Sequence, residues 1–361
     1  MKVTGVKVTP YACPTGGKPA GRHANGGSIV ELLTDSDLTG IAIGADEAVA
    51  QMERFVAEVL VGADPRATTA IWRTMSEVHA QRRREDPPAT TIAALDIALW
   101  DLKAKANAEP LWKTLGGTRP RANAHAGSIA LTATDRELTG WYGSLARDHG
   151  LRGAKLRVGL DEEPNLARLA LMRTALEHGT TVPTLIIDAE QCWTPKQAIR
   201  RLREIEHEFD VAWVEGATDS WDFPGLKEIS NAISAAVCVG GDLATRGEFL
   251  PHFQHRSADV IQLDIGIVGI TGALELADAA YGFELPVTLA ESPGNIHAHL
   301  SSVMPYFMSM EVVEPLAQWP VFATDVRIEA GWAIAGDAPG NGLAVDRAAL
   351  GPGDRPRWTL K

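Results

Sequence analysis

The pattern of apolar and polar positions changes character along the chain. The opening alternates in strand fashion through Val3, Val6 and Val8, and residues 28–34 (Ser-Ile-Val-Glu-Leu-Leu-Thr) form a second strand. Between them, residues 14–21 are too rich in Gly and Pro to be anything but a loop. Residues 1–60 therefore read as short strands followed by a helix. Residues 91–106 form a clear helix, with Ile92, Leu95, Leu99, Leu102 and Ala106 on one face, Asp101 and Lys105 as an i,i+4 pair, and Gly116-Gly117 closing the segment. This opening portion is an α+β module.

From about residue 122 the pattern becomes a regular alternation of short apolar strands and amphipathic helices. The strands fall at 154–158, 184–188, 211–215, 235–239, 260–264 and 286–289. Thr194 is placed to cap one of the helices, with Pro195 in its first turn. Strand then helix, repeated seven or eight times, implies parallel strands joined by crossover helices. An α/β fold closed into a (β/α)8 TIM-type barrel, open to modification at its first units, is the economical reading, and an open doubly wound sheet is the alternative. The predicted division is 1–120 for the α+β module, 121–318 for the barrel, and 319–361 for a Gly-, Pro- and Asp-rich segment that returns to the opening module.

Composition narrows the function. Among 361 residues, 46 acids against 34 bases give a net charge of −12, a surface that repels phosphate backbones and anionic membranes. No nucleic-acid or membrane partner is expected, and no run reads as the roughly 18 apolar residues of a membrane span. Cys13, Cys192 and Cys238 are few, scattered and odd in number, so they read as free thiols in a reducing compartment, and a cytoplasmic location is expected.

A barrel carries its active site at the carboxyl ends of its strands, and here those ends are acidic. Asp188, Glu215 and Asp242 each follow an apolar strand at intervals of 27 residues, one strand–helix unit, which predicts three carboxylates at one height on the rim. Such charges repel unless a cation neutralises them, and hard oxygens suit Mg²⁺. The alternative is that each is a helix cap or a surface acid. Lys155 and Arg157 are two apart on a strand whose other residues are apolar, so both face the barrel interior, either gripping an anionic substrate or pairing with Asp188 or Glu190. A desolvated lysine can also accept a proton, whereas a guanidinium cannot. Asp264, Glu291 and Glu311 continue the series of strand-end acids. Gly266, Gly269 and Gly272 open a helix after a strand, but their G-x-x-G-x-x-G spacing matches neither the dinucleotide fingerprint nor the P-loop.

With these residues in place, the sequence resembles the enolase superfamily, specifically the mandelate racemase/muconate lactonizing enzyme family. The segment Ala94-Leu95-Asp96-Ile97-Ala98-Leu99-Trp100-Asp101-Leu102-Lys103 is similar to the family's helix leading into the barrel, and Pro339-Gly340-Asn341-Gly342-Leu343 to its carboxyl-terminal return. The resemblance implies that the opening module caps the barrel mouth, with His23 and Asn25 on a specificity loop. It implies Mg²⁺ on Asp188, Glu215 and Asp242, Asp264 as the acid of a His–Asp dyad, and Glu311 as a hydrogen-bond partner of the substrate carboxylate. The implied chemistry is removal of the proton α to a carboxylate through an enediolate that the metal stabilises.

Three departures stand out. The family's Lys-x-Lys is Lys155-Leu156-Arg157 here, the dyad histidine position reads Ala290-Glu291-Ser292, and Glu190 stands where Asn is usual. His297 and His299 come several residues later, in what reads as a helix. Dehydration of a hydroxy acid or sugar acid, with Lys155 or Glu291 as base, is the leading expectation because it needs only one base. A racemase or epimerase, a Schiff-base aldolase using Lys155, and a barrel that binds metal without catalysis are the alternatives. A small-molecule carboxylate is the expected partner, and the chain is expected to form a homo-oligomer.

Overall fold

A computed structural model of the chain describes residues 1–12, 26–44, 52, 55–82, 89–159, 162–312, 321–350 and 358–359. The loop at 14–21, Cys13, His23 and Asn25 lie outside the described residues. The alternating valines form β1 (Val3–Ala12), which pairs antiparallel with β2 (Gly26–Thr34), itself paired with β3 (Thr39–Gly44). Helices α1 (Thr68–Arg82) and α2 (Ala89–Ala106) follow. Read as one-faced, α2 is in fact buried on nearly every side from Thr91 to Leu102, because it lies between the antiparallel sheet and the barrel.

After the short α3 (Leu111–Thr114) come β4 (Arg121–Ala126), α4 (Asp135–His149), β5 (Gly153–Arg157), α5 (Glu162–Leu176), β6 (Thr184–Asp188), α6 (Pro195–Glu208) and β7 (Val211–Glu215). The series continues through α7 (Phe223–Ala232), β8 (Ala236–Val239), α8 (Arg246–His255), β9 (Val260–Leu263), α9 (Ile265–Gly282), β10 (Val287–Leu289) and β11 (Phe307–Val312). Strands β4 to β11 are parallel and in sequential order, and β11 pairs with β4, so the sheet closes as a (β/α)8-type barrel. Between β10 and β11 the connection is a 3-10 segment, Pro293–Leu300. Below the strand ends the barrel is plugged by Ile186, Trp213, Cys238 and Val260. The cap predicted for α6 is present, with the Gln197 side chain accepting from the Thr194 amide at 3.0 Å.

The carboxyl-terminal segment does more than return to the opening module. β12 (Phe322–Thr324) pairs with β15 (Leu343–Val345), while β13 (Arg327–Glu329) and β14 (Trp332–Ile334) form a hairpin that adds antiparallel to barrel strand β4. Its remaining parts do reach the first sheet: β16 (Trp358–Thr359) pairs with β1, and the Arg347 guanidinium bonds Glu31. The Asp101–Lys105 pair is a buried junction and not a surface ornament. Asp101 accepts from the Ile41 and Asn341 amides, both at 2.8 Å, joining sheet, helix and carboxyl-terminal return.

One reading of the sequence is overturned in α9, which is long and apolar enough to cross a membrane by length and composition. Its apolarity has another cause: 61% of the segment is buried in the protein, packed between barrel and α2. It is also broken. Gly269 has φ 74° and ψ 177°, which interrupts the helix and exposes amides that no intrahelical carbonyl reaches. Asp96, on α2, takes them over. Its Oδ2 accepts from the Thr271 amide and its Oδ1 from the Thr271 hydroxyl, each at 2.7 Å, while Trp100 Nε1 donates to the same hydroxyl at 2.9 Å.

Burial pushes the Asp96 carboxyl up to about 7 despite those donors. The folded state thus keeps a proton that the unfolded chain releases near pH 4, and stability falls as the pH rises from about 4 to 7. The loss is on the order of 1.4 kcal/mol per unit of displacement. Urea unfolding at pH 5 and pH 8 checks this: Asp96→Asn should flatten the pH dependence, and equal slopes in the two proteins would refute it.

Candidate active site

The parallel strands bring the nominated acids to one end of the barrel, around a cavity of about 370 Å³. Arg157, Asp188 and Glu215 are register partners on adjacent strands, so these three do stand at one level. Asp242 does not. The partner of Glu215 on β8 is Cys238, and the chain then leaves the strand through Gly240 and Gly241, placing Asp242 further out and exposed. The 27-residue interval counts residues, not height, and Asp242 lies four residues past the register partner of Glu215.

Lys155 points inward and is 7% exposed. Its ammonium bonds Glu215 Oε2 at 2.8 Å and Glu311 Oε2 at 2.7 Å, across the barrel and not to Asp188 or Glu190. Burial works against this charge, yet Glu215, Glu311 and Asp188 hold its pKa well above the ordinary value. Arg157 takes the structural pairing foreseen for it, lying 3.6 Å from Asp188 and in direct contact with Glu190. Burial raises Asp188 to about 6, with Glu215 and Glu190 adding to the shift and Lys155 opposing it. Burial also works to raise Glu215, but the charge and hydrogen bond of Lys155, with bonds from Trp213 and Gln262, leave it below the usual range.

Asp264 lines the cavity and caps α9, its Oδ1 accepting from the Gly266 amide at 2.7 Å, so the capping reading holds beside any other role. Glu291 is half-buried on the wall, two residues past the end of β10. His297 and His299 do not reach the cavity. His297 Nε2 bonds the Glu311 carbonyl at 2.9 Å, His299 Nδ1 accepts from the Trp112 amide at 3.2 Å, and burial lowers both to about 4. Two residues passed over in the sequence belong to the site. Gln262, bonded to Glu215, is the one polar side chain in the strand Val-Ile-Gln-Leu and shares a face with Asp264, which was the available signal. Ser128 lines the cavity with its hydroxyl buried and unpartnered among the described residues. It sits in a loop just past β4, where no periodicity marks it.

Seven of the lining side chains are carboxylates and two are cations. This excess of hard oxygens suits a divalent cation such as Mg²⁺ in charge and donor type. As placed, each of the three nominated carboxylates already has a side-chain partner: Asp188 has Arg157, Glu215 has Lys155, and Asp242 has Gln191 and Ser220, both on Oδ2. Among the described residues, no three His, Cys, Asp or Glu side chains already converge on a metal-sized point.

Known proteins match both parts of this fold. Residues 12–116 match the mandelate racemase/muconate lactonizing enzyme N-terminal domain, and residues 142–349 the enolase C-terminal domain-like family. L-Talarate/galactarate dehydratase of Salmonella typhimurium is 30% identical over 313 residues, 84% of this chain and 74% of that protein. The 3,6-anhydro-alpha-L-galactonate cycloisomerase of Streptomyces coelicolor is 28% identical, spanning 91% of this chain and 84% of the relative. The solved structure of L-talarate dehydratase from Polaromonas sp. JS666, complexed with Mg and L-glucarate, superimposes with a TM-score of 0.78 at 26% identity, covering 96% of each chain. A capped (β/α)8 barrel matched over both its parts, with a sugar-acid dehydratase and a cycloisomerase among its relatives, leads to one conclusion: the chain is an enzyme of lyase or isomerase type and belongs to the mandelate racemase/muconate lactonizing enzyme family of the enolase superfamily.

Proposed function

We propose that the protein is a Mg²⁺-dependent dehydratase of a hydroxy acid, most plainly a sugar acid, acting by removal of the proton α to the carboxylate. The observation that carries this reading is the Lys155 ammonium, held between Glu215 and Glu311 at the base of a cavity rich in carboxylates. Asp188, Glu215 and Asp242 would hold the metal, which when bound supplies Lewis-acid stabilisation to charge developing on the substrate carboxylate.

The remaining chemistry falls to the side chains. Lys155, a donor fixed by two carboxylates, binds a substrate carboxylate oxygen and counters the charge that grows there as the Cα–H bond breaks. Glu311 keeps that donor aimed. Arg157 braces Asp188 and Glu190, and a guanidinium is no base. Glu291, on the wall where the family carries its dyad histidine, is the base: it removes the α-proton and, now a carboxylic acid, returns it to the hydroxyl leaving the β-carbon. Water departs and the enol becomes a 2-keto acid. One group serving both transfers requires syn elimination, and Asp264 stays with its helix cap.

Mg²⁺-loaded protein incubated with an acid-sugar library in D₂O tests the reading. A 2-keto product from at least one member is expected. Exchange with inversion and no loss of water would move the assignment to an epimerase, and neither exchange nor product with any member would remove it. With a substrate in hand, Glu291→Gln should lower kcat by roughly 10²-fold or more while leaving Mg²⁺ affinity unchanged. Undiminished turnover would exclude Glu291 as base.

A further inference from the structure

We infer that Gln191 is a positioning residue for the metal site, fixing Asp242 relative to the other two acids; the inference rests on the metal-binding reading above. Asp242 lies beyond the end of β8, so no strand geometry aims it. What holds it is a side-chain bridge. Gln191 Nε2 and Ser220 Oγ both donate to Asp242 Oδ2 at 2.9 Å, and the Ser220 amide donates to Gln191 Oε1 at 3.2 Å. The loops after β6, β7 and β8, which follow Asp188 and Glu215 and carry Asp242, are thus tied by one amide.

The backbone is set for this task. Glu190 and Gln191 are consecutive non-glycine residues at φ 48° and 57°, and the Gln191 amide donates to the Gly216 carbonyl at 2.8 Å. Gly216 is required opposite them, since a Cβ there would lie 2.9 Å from both the Glu190 and Gln191 nitrogens. Both side-chain donors use Oδ2 of Asp242, which leaves Oδ1 as the oxygen for a cation. Partners of this kind orient a ligand and tune its affinity without touching the ion.

The test is Mg²⁺ titration calorimetry on the full chain, with the melting temperature of the metal-free protein recorded for each variant. Gln191→Ala should weaken Mg²⁺ binding by about 10-fold to 100-fold with little change in that melting temperature. In an Asp242→Asn background the same substitution should change affinity by less than about twofold, because no carboxylate remains to be placed. If Gln191→Ala does not fold, Ser220→Ala removes the other donor and should weaken binding in the same way. Unchanged affinity in a folded Gln191→Ala, or equal losses in both backgrounds, overturns the inference and leaves the proposed function standing. No Mg²⁺ uptake by the unaltered protein takes down both.

Discussion

Lys155→Met is expected to lower turnover by about 10²- to 10³-fold and, in the absence of metal, to destabilise the fold. The ammonium is the only cation bonded to the buried carboxylates of Glu215 and Glu311 among the described residues, and removing it leaves like charges facing each other at buried positions. Breaking a buried ion pair from one side costs about 3–5 kcal/mol. The catalytic loss has a separate origin: a preorganised donor to a developing oxyanion contributes about 10²- to 10³-fold. Mg²⁺ should then protect the variant more than the unaltered protein, since it brings positive charge to Glu215, one of the two acids that lose their partner. Thermal melts with and without Mg²⁺ measure this. A variant that melts like the parent without metal would show that Lys155 does not neutralise these acids.

Asp188→Asn is the second large effect. Asp188 stands level with Glu215 and is pushed up to about 6 by burial and by its acidic neighbours, a crowding that a divalent cation would relieve. The amide nearly preserves shape and keeps one oxygen to accept from the Glu190 amide, now 3.0 Å from Oδ1, so the fold should persist. What goes is half the anionic pair at strand height, and with it Mg²⁺ uptake and all turnover above background. Equilibrium dialysis against Mg²⁺ decides the point, and retention of a full equivalent of metal would remove Asp188 from the ligand set.

Much of this was legible in the chain because parallel barrel strands bury both faces and so leave short apolar runs separated by amphipathic helices. The inward direction of Lys155 follows from two-residue alternation, and the shared level of Asp188 and Glu215 agrees with the 27-residue interval between them. Other features were hidden for definite reasons. The height of Asp242 depends on a Gly240-Gly241 turn whose path no residue count conveys. The destination of the β13–β14 hairpin is set by which edge of β4 lies open, a tertiary fact. The partners of Lys155 lie 60 and 156 residues away, beyond any local pattern. The near-complete burial of α2, between the sheet and the barrel, and the apolarity of α9, packed on α2, are tertiary effects that neither helix reveals by itself.

The break at Gly269 bears on how such proteins can be recombined. An amide pair orphaned in the barrel is satisfied by a carboxyl that belongs to the other module, and a side chain at position 269 would collide with it, its Cβ lying 2.7 Å from Asp96 Oδ2. Neither half is therefore a freely exchangeable cassette. A chimera that joins this barrel to the lid of a distant cousin inherits an open helix end unless the donor supplies an acid at the corresponding turn, so substrate range and lid identity are expected to diversify together with this one residue held fixed.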